Sequence, residues 1–483
     1  MSVRWIGLTF ACALVAPACM VHKVQKDRQA PVTMPAKFSD GGAGNLPDRW
    51  WKSFSDPQLD AFVDELLRKN LDIKQGWARV KQAVALARKA GAALYPWIQA
   101  ELGASYGQSS FYGGDQFGDQ SLASGRLPIG LAVSYEVDLW GRVASLRNAA
   151  RLDVKATRED LSAMAMSLVG STTDLWFSIR EIHAQKALVK SQIKVNRTYL
   201  ELVELRFANG LASALEVLQQ KQQVLAGQAQ LPLLEASARV AHHQLDVLVG
   251  RAPGTSGRTL TAGLPTCPPI PSVGAPAKLL NRRPDVRSAR LRMLGADHRV
   301  GVAVAERFPA LRLGASGGVN GNSVSSMFTT WVYSLVSNLV APLFQGGRLS
   351  AEVARTRAAL EERVQAYGKV LLTAFREVQD ALIRERKQRE HLKVVEAQIT
   401  TARNALSHAR DRYLRGQVNY LVVLTSLQTV QTIERNRLTA QRQLLSYRIG
   451  LYRALGGSWT RTLRPEPRPV KKRVAGKKKG GGR

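Results

Sequence analysis

Cys19 is the residue whose surroundings predict a specific covalent modification. It follows a stretch with one early positive charge, an apolar run over residues 5–15 and small residues directly before the cysteine. That pattern is typical of a secretory signal peptide that ends at a lipoprotein cleavage site, where the new amino-terminal cysteine receives acyl chains. An ordinary cleavage after Ala18 also fits, because the preceding residues obey the A-x-A rule. We expect a signal peptide over residues 1–18 and lipid attachment at Cys19.

Side chains that could perform catalysis or bind a metal form no recognisable motif. Of the three cysteines, Cys12 belongs to the signal peptide, Cys19 would be acylated and Cys267 has no internal partner. A disulfide framework and a CxxC site are therefore excluded. The histidines form no HExxH pattern, and the sequence has no GxSxG or phosphate-loop glycine pattern. We expect no enzyme activity, no cofactor and no metal site.

The chain carries a formal net charge of +32, which raises the hypothesis of a nucleic-acid binder. A signal peptide argues against that partner, and basic residues scattered over long helices are usually solvated. The tail over residues 461–483 holds ten lysines and arginines against one acid, Glu466. Because it has almost no large apolar residues, we expect it to be disordered. It would either hold anionic peptidoglycan or lipid headgroups, or serve only as solvated charge.

The elements that would position functional groups occur twice along the chain. The sequence RFANGLASALEVLQQKQQV at 206–224 aligns without a gap with RYLRGQVNYLVVLTSLQTV at 412–430, at an offset of 206 residues. Such internal repetition predicts two similar halves. We expect a lipidated extended segment over 19–57, a first repeat over 58–265, a second repeat over 266–460 and the basic tail over 461–483.

Four segments alternate apolar and polar residues with the period of a β-strand. In LPIGLAVSYEVDLW, residues 127–140, every odd position is apolar, which fits a strand that is wet on one face only. Four strands cannot close a barrel, and open sheet edges do not survive in lipid. The chain must therefore assemble with copies of itself, two giving eight strands or three giving twelve. The expected strands cover residues 97–107, 126–138, 311–320 and 331–344, each long enough to cross a bilayer when tilted.

A very long helix follows the second strand of each half. Helical periodicity runs from Gly141 to about Ala208 and over 347–414, roughly 100 Å each at about 1.5 Å per residue. In the second helix, apolar or small residues recur at gaps of four and three, which is typical of a coiled-coil seam. Return helices are expected over about 213–249 and 419–455, and Pro232 should kink or interrupt the first of them. The fold class is mainly α with membrane β.

The motifs YEVDLWGR, RFANGLASALEVLQ, RRPDVRSA, LFQGGR and RYLRGQVNYLVVL, in this order and spacing, resemble those of TolC-like outer-membrane efflux proteins. Within that family the chain is most similar to the lipoprotein outer-membrane factors of RND-type tripartite pumps, from Cys19 to about Trp459. The resemblance implies a homotrimer with a twelve-stranded β-barrel in the outer membrane, four strands per chain, and a long periplasmic α-helical barrel. It also implies docking to a periplasmic adaptor, or membrane fusion protein, and an inner-membrane RND pump. Drugs, metals or other small solutes would then pass to the exterior.

The turns that join the antiparallel helices are the expected docking tips. Gly210 and Gly416 supply the left-handed residue that such a turn needs. A role limited to capping the helices stays open, since a glycine turn is needed in either case. The resemblance implies that the adaptor contacts these tips, and the matching residues are Arg206, Phe207, Gly210, Arg412, Tyr413 and Gly416.

A periplasmic constriction is expected just beyond the second tip. Family members often carry acidic residues there, but the matching residues of this chain are Val422 and Thr425, so the sequence departs from the family pattern. Glu216 and Gln219 stand at the equivalent positions of the first half. A charged ring would therefore come from Glu216, while Val422 and neighbouring leucines could close the pore by apolar contact.

A different class of function stays open at this point. A periplasmic structural lipoprotein with coiled-coil stalks would explain the long helices and the signal peptide, but it predicts no lipid-facing strands. The exported substrate cannot be derived from this chain, because specificity in the family lies in the partner subunits.

Overall fold

The computed structural model describes residues 21–464, except 26, 29, 39–46, 112–119, 256, 258–259, 261–262, 277–278, 322–325, 327 and 329. Cys19 and the basic tail beyond residue 464 lie outside the described residues. The chain forms two compact units. The first comprises the described parts of Met1–Met34, Arg79–Asp160 and Pro284–Thr373, and the second those of Pro35–Ala78, Leu161–Arg283 and Ala374–Arg483.

Helices make up most of the described chain. They are α1 (Pro57–Lys69), α2 (Leu71–Ala92), α3 (Arg142–Ala208), α4 (Ala214–Leu248), α5 (Leu279–Arg282), α6 (Pro284–Ala305), α7 (Arg348–Leu414) and α8 (Tyr420–Leu455), with short 3-10 helices at Trp50–Phe54 and Trp459–Thr462. The strands are β1 (Trp97–Leu102), β2 (Ser105–Phe111), β3 (Gln120–Val137), β4 (Ala310–Gly321) and β5 (Trp331–Val340).

The sheet of the first unit is antiparallel throughout, in the order β1, β3, β4, β5. Strand β2 also pairs with β3 and continues the register of β1, because Leu102 faces Ile129 and Ser105 faces Arg126. The sheet is therefore four strands wide. Its outer strands leave one backbone edge each without a partner in the described chain.

The two faces of the sheet differ sharply in polarity. Residues that share a rung in the register lie on the same face, so the whole sheet can be sorted by its pairing. One face carries Ile98, Ala100, Leu102, Ile129, Leu131, Val133, Tyr135, Val137, Leu311, Leu313, Ala315, Gly317, Val319, Trp331, Tyr333, Leu335, Ser337 and Leu339, of which only Ser337 is polar. The opposite face holds Gln99, Glu101, Ser134, Glu136, Arg312, Asn320 and Asn338 among small residues, three valines of β5 and Trp97. The alternation predicted from the sequence is present.

The first expected strand, residues 97–107, is interrupted rather than continuous. The break falls opposite Pro128, where the Gly103 backbone N–H donates to the Pro128 carbonyl oxygen over 3.0 Å. Pro128 has no N–H to return the bond, so the ladder loses one rung at this position. Five strand segments therefore replace the four expected ones, although the sheet keeps the expected width of four.

The two long helices agree with their sequence-based bounds within one residue. Helices α3 and α7 each contain 67 residues. The predicted seam of α7 is buried, including Leu360, Leu371 and Val378. Helix α4 runs without interruption through Pro232, so of the two expected effects the interruption does not occur and the kink stays a prediction. Within the described residues no helix is both long enough and apolar enough to span a membrane.

The core of the second unit joins the segment around Trp50 to the end of α8 and the short helix that follows it. Trp50 stacks on Tyr452 with ring centroids 5.4 Å apart, and Trp51 meets Trp459 edge-on at 5.0 Å. Burial of such large aromatic rings contributes strongly to stability. The Asp48 carboxylate also accepts bonds from the Ser458 backbone N–H and hydroxyl.

An ion pair lies fully buried in the same unit. The Arg448 Nε donates to Glu385 Oε2 over 2.9 Å, and both side chains are inaccessible to solvent. Arg448 also donates to the carbonyl oxygens of Pro268 and Pro269, so its remaining N–H groups are satisfied as burial of a charge requires. Burial raises the pKa of the neighbouring Cys267 thiol to about 11, which leaves this cysteine protonated and unreactive at neutral pH.

Candidate docking tips and constriction

Each long helix ends in the same turn, which we call a tip: residues 206–213 and 412–419. At the first tip, Leu211 N–H donates to the Arg206 carbonyl over 2.8 Å and Gly210 N–H donates to the Phe207 carbonyl over 2.9 Å. This pair of bonds is a Schellman motif, and it requires a left-handed residue. Gly210 provides it with a φ of +71°.

The second tip repeats this geometry 206 residues later. Gln417 N–H donates to the Arg412 carbonyl and Gly416 N–H to the Tyr413 carbonyl, both over 2.9 Å, and the φ of Gly416 is +73°. The return helices begin directly after the tips. Ser213 caps α4 by accepting from the Glu216 N–H, whereas Asn419 precedes α8 without a side-chain cap bond.

An apolar cluster holds the two tips of one chain together. Its buried members come from α3, α7 and α8, and α4 contributes Val217 at its edge. They are Val203, Ala409, Tyr413, Tyr420, Val423 and Leu424. The cluster fixes the register of the four helices at the end where the turns lie.

Tyr413 is the polar centre of this cluster. Its hydroxyl donates to Glu216 Oε2 over 2.9 Å, and the Arg206 guanidinium carbon lies 4.6 Å from the centroid of its ring. Burial, together with the hydrogen bond to Glu216 and the negative charge of that carboxylate, raises the pKa of Tyr413 to about 12. The phenol therefore stays protonated and remains a donor across the physiological pH range.

A chain of buried side-chain hydrogen bonds continues along the helices from the tips. Tyr420 donates to Gln220 Oε1 over 2.7 Å, and Gln220 Nε2 donates to the Asn196 carbonyl over 2.7 Å. Gln431 Nε2 in turn donates to Asn196 Oδ1 over 2.7 Å, and Gln192 donates to the Gln431 carbonyl over 3.1 Å. These bonds tie α3, α4 and α8 together, and each of them is made away from competing water.

The residues expected to contact an adaptor differ in exposure. Phe207 is 49% exposed, and Arg412 and both glycines lie on the surface. Arg206 is half-buried against Tyr413. Tyr413 is only 4% exposed, so its ring lies inside the tip and not on its outer surface.

The four residues expected at the constriction lie on the first turns of α4 and α8. Val422 is 42% exposed in the single chain, and Thr425 is also exposed, with its hydroxyl donating to the Leu421 carbonyl of its own helix over 2.8 Å. Glu216 and Gln219 are half-buried.

The sequence predicts Tyr413 only in the docking set and Glu216 only in the constriction set. The sequence gives no sign that the two side chains meet, because they are 197 residues apart.

No group of three His, Cys, Asp or Glu side chains within the described part of the chain is arranged to hold a metal ion. The tips offer hydrogen bonds, apolar surface and charge, which are the features of a protein-contact surface.

The comparison with protein families decides the identification. The family model for outer membrane efflux proteins matches residues 62–251 and 275–457. The chain belongs to the outer membrane efflux protein family. The resemblance to TolC-like channels inferred from the motifs is thereby confirmed, and members of this family are transport channels.

Relatives of this efflux protein cover nearly its whole length. It is 32% identical to the pyoverdine export outer membrane protein OpmQ of Pseudomonas aeruginosa over 466 residues, which are 95% of this chain and 98% of that one. It is 28% identical to the solvent efflux pump outer membrane protein SrpC of Pseudomonas putida, over 84% and 87% of the two chains. The solved outer-membrane channel OprN superimposes with a TM-score of 0.84 at 26% identity, over 92% of this chain and 100% of that one.

These relatives define the role of the chain. It is an outer-membrane channel of tripartite efflux. The family assignment and the apolar sheet face together favour this role over a periplasmic coiled-coil structural lipoprotein.

Proposed function

We propose that three copies of the chain close a twelve-stranded barrel that continues into a tunnel of long helices. The observation that carries the proposal is the sheet: its apolar face suits contact with lipid, but its two open edges are not stable in lipid without a partner. Because the sheet is four strands wide and antiparallel throughout, β5 of one copy runs antiparallel to β1 of the next. The ring can therefore close without a change of pattern, and the likeness to TolC-like channels favours three copies over two.

Disulfide cross-linking across the sheet edges tests this assembly. Gln99→Cys on β1 would be combined in turn with Ser334→Cys, Val336→Cys and Asn338→Cys on β5, all of which lie on the polar face. Gln99→Cys with Ser337→Cys, on the opposite face, is the matched control. We expect covalent trimers from at least one polar-face pair and none from the control. Covalent dimers as the largest species would contradict three copies.

The tips are proposed to dock a periplasmic adaptor that connects the channel to an inner-membrane RND pump. The exposed apolar side chains of Phe207 and Leu211 at the first tip support docking there. The exposed Arg412 at the second tip supports it as well. Tyr413 would act from inside the tip by holding Arg206 and Glu216. Phe207→Asp with Leu211→Asp should abolish export in cells and leave the conductance of the purified channel unchanged. Normal export would place docking elsewhere.

The resting pore is proposed to be closed at the first turns of α4 and α8. Glu216 is held by Tyr413, and Val422 presents an apolar surface that a threefold arrangement would turn into a ring. Gln219 and Thr425 would form the next polar layer. An apolar constriction of this kind closes a pore by excluding water.

The remaining assignments rest on sequence. Cys19 is proposed to carry acyl chains that anchor the protein to the outer membrane in addition to its barrel. Residues 58–265 and 266–460 are proposed as the two repeats, and the two matched family segments lie within them.

Pyoverdine-like solutes are the first candidates for the cargo. Two relatives, at 32% and 33% identity, are named as pyoverdine export proteins. To test the assignment, export of such a compound would be compared between a strain that lacks this chain and the same strain with the chain restored.

A further inference from the structure

An open groove of roughly 840 Å³ lies in the first unit between α2 and α3. Its floor is apolar and includes Val84, Ala87, Leu94 and Val154, with Tyr95 at its end. Four of its other lining residues are basic: Arg88, Arg147, Arg151 and Lys155. The groove thus offers an apolar surface and a concentrated positive charge side by side.

The positive charge on α3 is concentrated on one face. Arg147, Arg151 and Lys155 are spaced four residues apart, so they lie one above the other and repel each other. Neither Arg151 nor Lys155 makes an ion pair with any residue that the structure describes. The acidic neighbours on α3 are engaged elsewhere: Asp153 pairs with Arg299 and Glu159 with Arg287, both on α6.

Arg147 places a buried donor at the groove. Its Nε is buried and has no hydrogen-bond partner among the described residues. The stem of this side chain lies against Gly91 of α2, where a Cβ atom would be 3.5 Å from its Cγ and Cδ atoms. The close approach of the two helices therefore fixes the guanidinium at the groove.

The amino-terminal segment extends the basic surface. A second cleft, which shares Arg151 and Lys155 with the groove, is lined by Lys23 and Arg28 and by one acid, Asp27. Asp297 of α6 holds the segment in place by accepting from the Gln25 backbone N–H over 2.8 Å and by contacting His22 Nε2 at 2.7 Å. Basic side chains from two separate parts of the chain thus face one region.

One end of the groove, at Tyr95 and Arg147, lies near the point where the helices meet the sheet. Tyr95 is 73% exposed and precedes the first residue of β1 by two positions, and α3 begins five residues after β3 ends. In an outer-membrane channel, this end of the groove would lie next to the periplasmic headgroup layer, and Arg151 and Lys155 would lie further along α3 on the periplasmic side. A ligand that matches the groove has one anionic phosphate and an attached hydrocarbon chain.

We propose that this groove binds an anionic phospholipid of the periplasmic leaflet. The phosphate would lie between Arg147, Arg151 and Lys155, and part of one acyl chain would cover the apolar floor. Each basic residue near an anionic membrane surface adds to the attraction. Bound lipid would therefore relieve the repulsion along α3 and attach the top of the helices to the bilayer.

Native mass spectrometry of the purified full-length protein tests the proposal. Phosphatidylglycerol, zwitterionic phosphatidylcholine and inorganic phosphate would each be titrated into wild type, Arg151→Glu with Lys155→Glu, and the matched control Lys194→Glu with Arg197→Glu on the same helix. We expect wild type and control to retain phosphatidylglycerol preferentially, and the Arg151 and Lys155 variant to lose at least about tenfold in affinity, since two attractive charges are removed.

Four outcomes with wild type or the groove variant would overturn the proposal. They are equal retention of phosphatidylglycerol by the groove variant, equal retention of the zwitterionic lipid by wild type, and full displacement by inorganic phosphate. The fourth is loss of assembly in the groove variant alone, which would make the groove a contact between copies. A Cys19→Ser variant separates added lipid from the protein's own acyl chain. It should retain phosphatidylglycerol as wild type does, and failure to do so contradicts the proposal as well.

Discussion

The Tyr413 hydroxyl donates a 2.9 Å hydrogen bond to the Glu216 carboxylate, joining the end of α7 to the beginning of α4. The bond links the second half of the chain to the first at the tips. Glu216 and Val422 are equivalent positions of the two halves, but only Glu216 takes part in this hydrogen bond. It restrains the first-half position, while the second-half position remains an exposed valine.

Replacement of Glu216 by glutamine should lower the pKa of Tyr413. In the folded protein this pKa is raised from its ordinary value of 10 to about 12, first by burial and then by Glu216. Removing the negative charge should bring the value part of the way back towards 10, because the burial remains. Ultraviolet titration of the phenolate signal, compared with Tyr413→Phe, measures the change; an unaltered titration would mean that Glu216 does not act on Tyr413.

The same shift predicts how stability depends on alkaline pH. A raised pKa in the folded state means that the stabilisation is complete below the ordinary value of 10 and is lost as pH rises through about 12. Wild type should therefore lose more thermal stability than Tyr413→Phe between these two pH values. Parallel losses in the two proteins would contradict the assignment.

The tip glycines should resist substitution although there is room for a side chain. A Cβ atom at Gly210 or Gly416 would meet no atom within 4 Å, so only the positive φ opposes alanine. Each Gly→Ala change should cost about 1 kcal/mol. Gly450→Ala is the matched control, because it also meets no atom within 4 Å but lies inside α8, where alanine should stabilise by up to about 1 kcal/mol. Equal effects at all three positions in thermal unfolding would contradict this account.

Val422 and Val423 are adjacent but should respond differently to serine. Val422 is 42% exposed, so Val422→Ser should leave stability nearly unchanged and increase entry of vancomycin into cells. Val423 is 0% exposed inside the tip cluster, and Val423→Ser should cost about 3 kcal/mol. Unchanged vancomycin entry with Val422→Ser would place the constriction elsewhere.

Acylation at Cys19 is testable by metabolic labelling with palmitate. Wild type should incorporate the label and Cys19→Ser should not. Cys267→Ser is the control, and it should label normally because the Cys267 thiol is half-buried and its pKa is raised. Equal labelling of wild type and Cys19→Ser would exclude this site.

Much of the fold could be predicted because its signals are local. The period of the strands and the glycines at 210 and 416 set the elements and their ends to within one or two residues at most boundaries. The break opposite Pro128 was missed because it depends on which residue lies across the ladder. The continuity of α4 through Pro232 also depends on the surroundings of the helix rather than on its own sequence.

The arrangement of the site could be predicted only in part for the same reason. Motif matching identified both Tyr413 and Glu216, but it assigned them to separate roles. The contact between them depends on how α4 and α7 pack, and nothing in either local sequence encodes that packing. The buried pair of Arg448 and Glu385 is another contact of this kind, since each residue alone looks like one more charge on a long helix.

The central claim is that the chain forms a pore that is held closed just beyond its tips. Single-channel conductance in planar bilayers tests this claim most directly. Wild type should give small conductance steps, and Tyr413→Phe should give larger ones, because Glu216 loses its restraint. Tyr199→Phe is the control: Tyr199 packs against the same cluster, and its hydroxyl makes no hydrogen bond with another described residue. The account predicts a rise for Tyr413→Phe alone. Channels of equal conductance in all three proteins, or no channels from any of them, would contradict it.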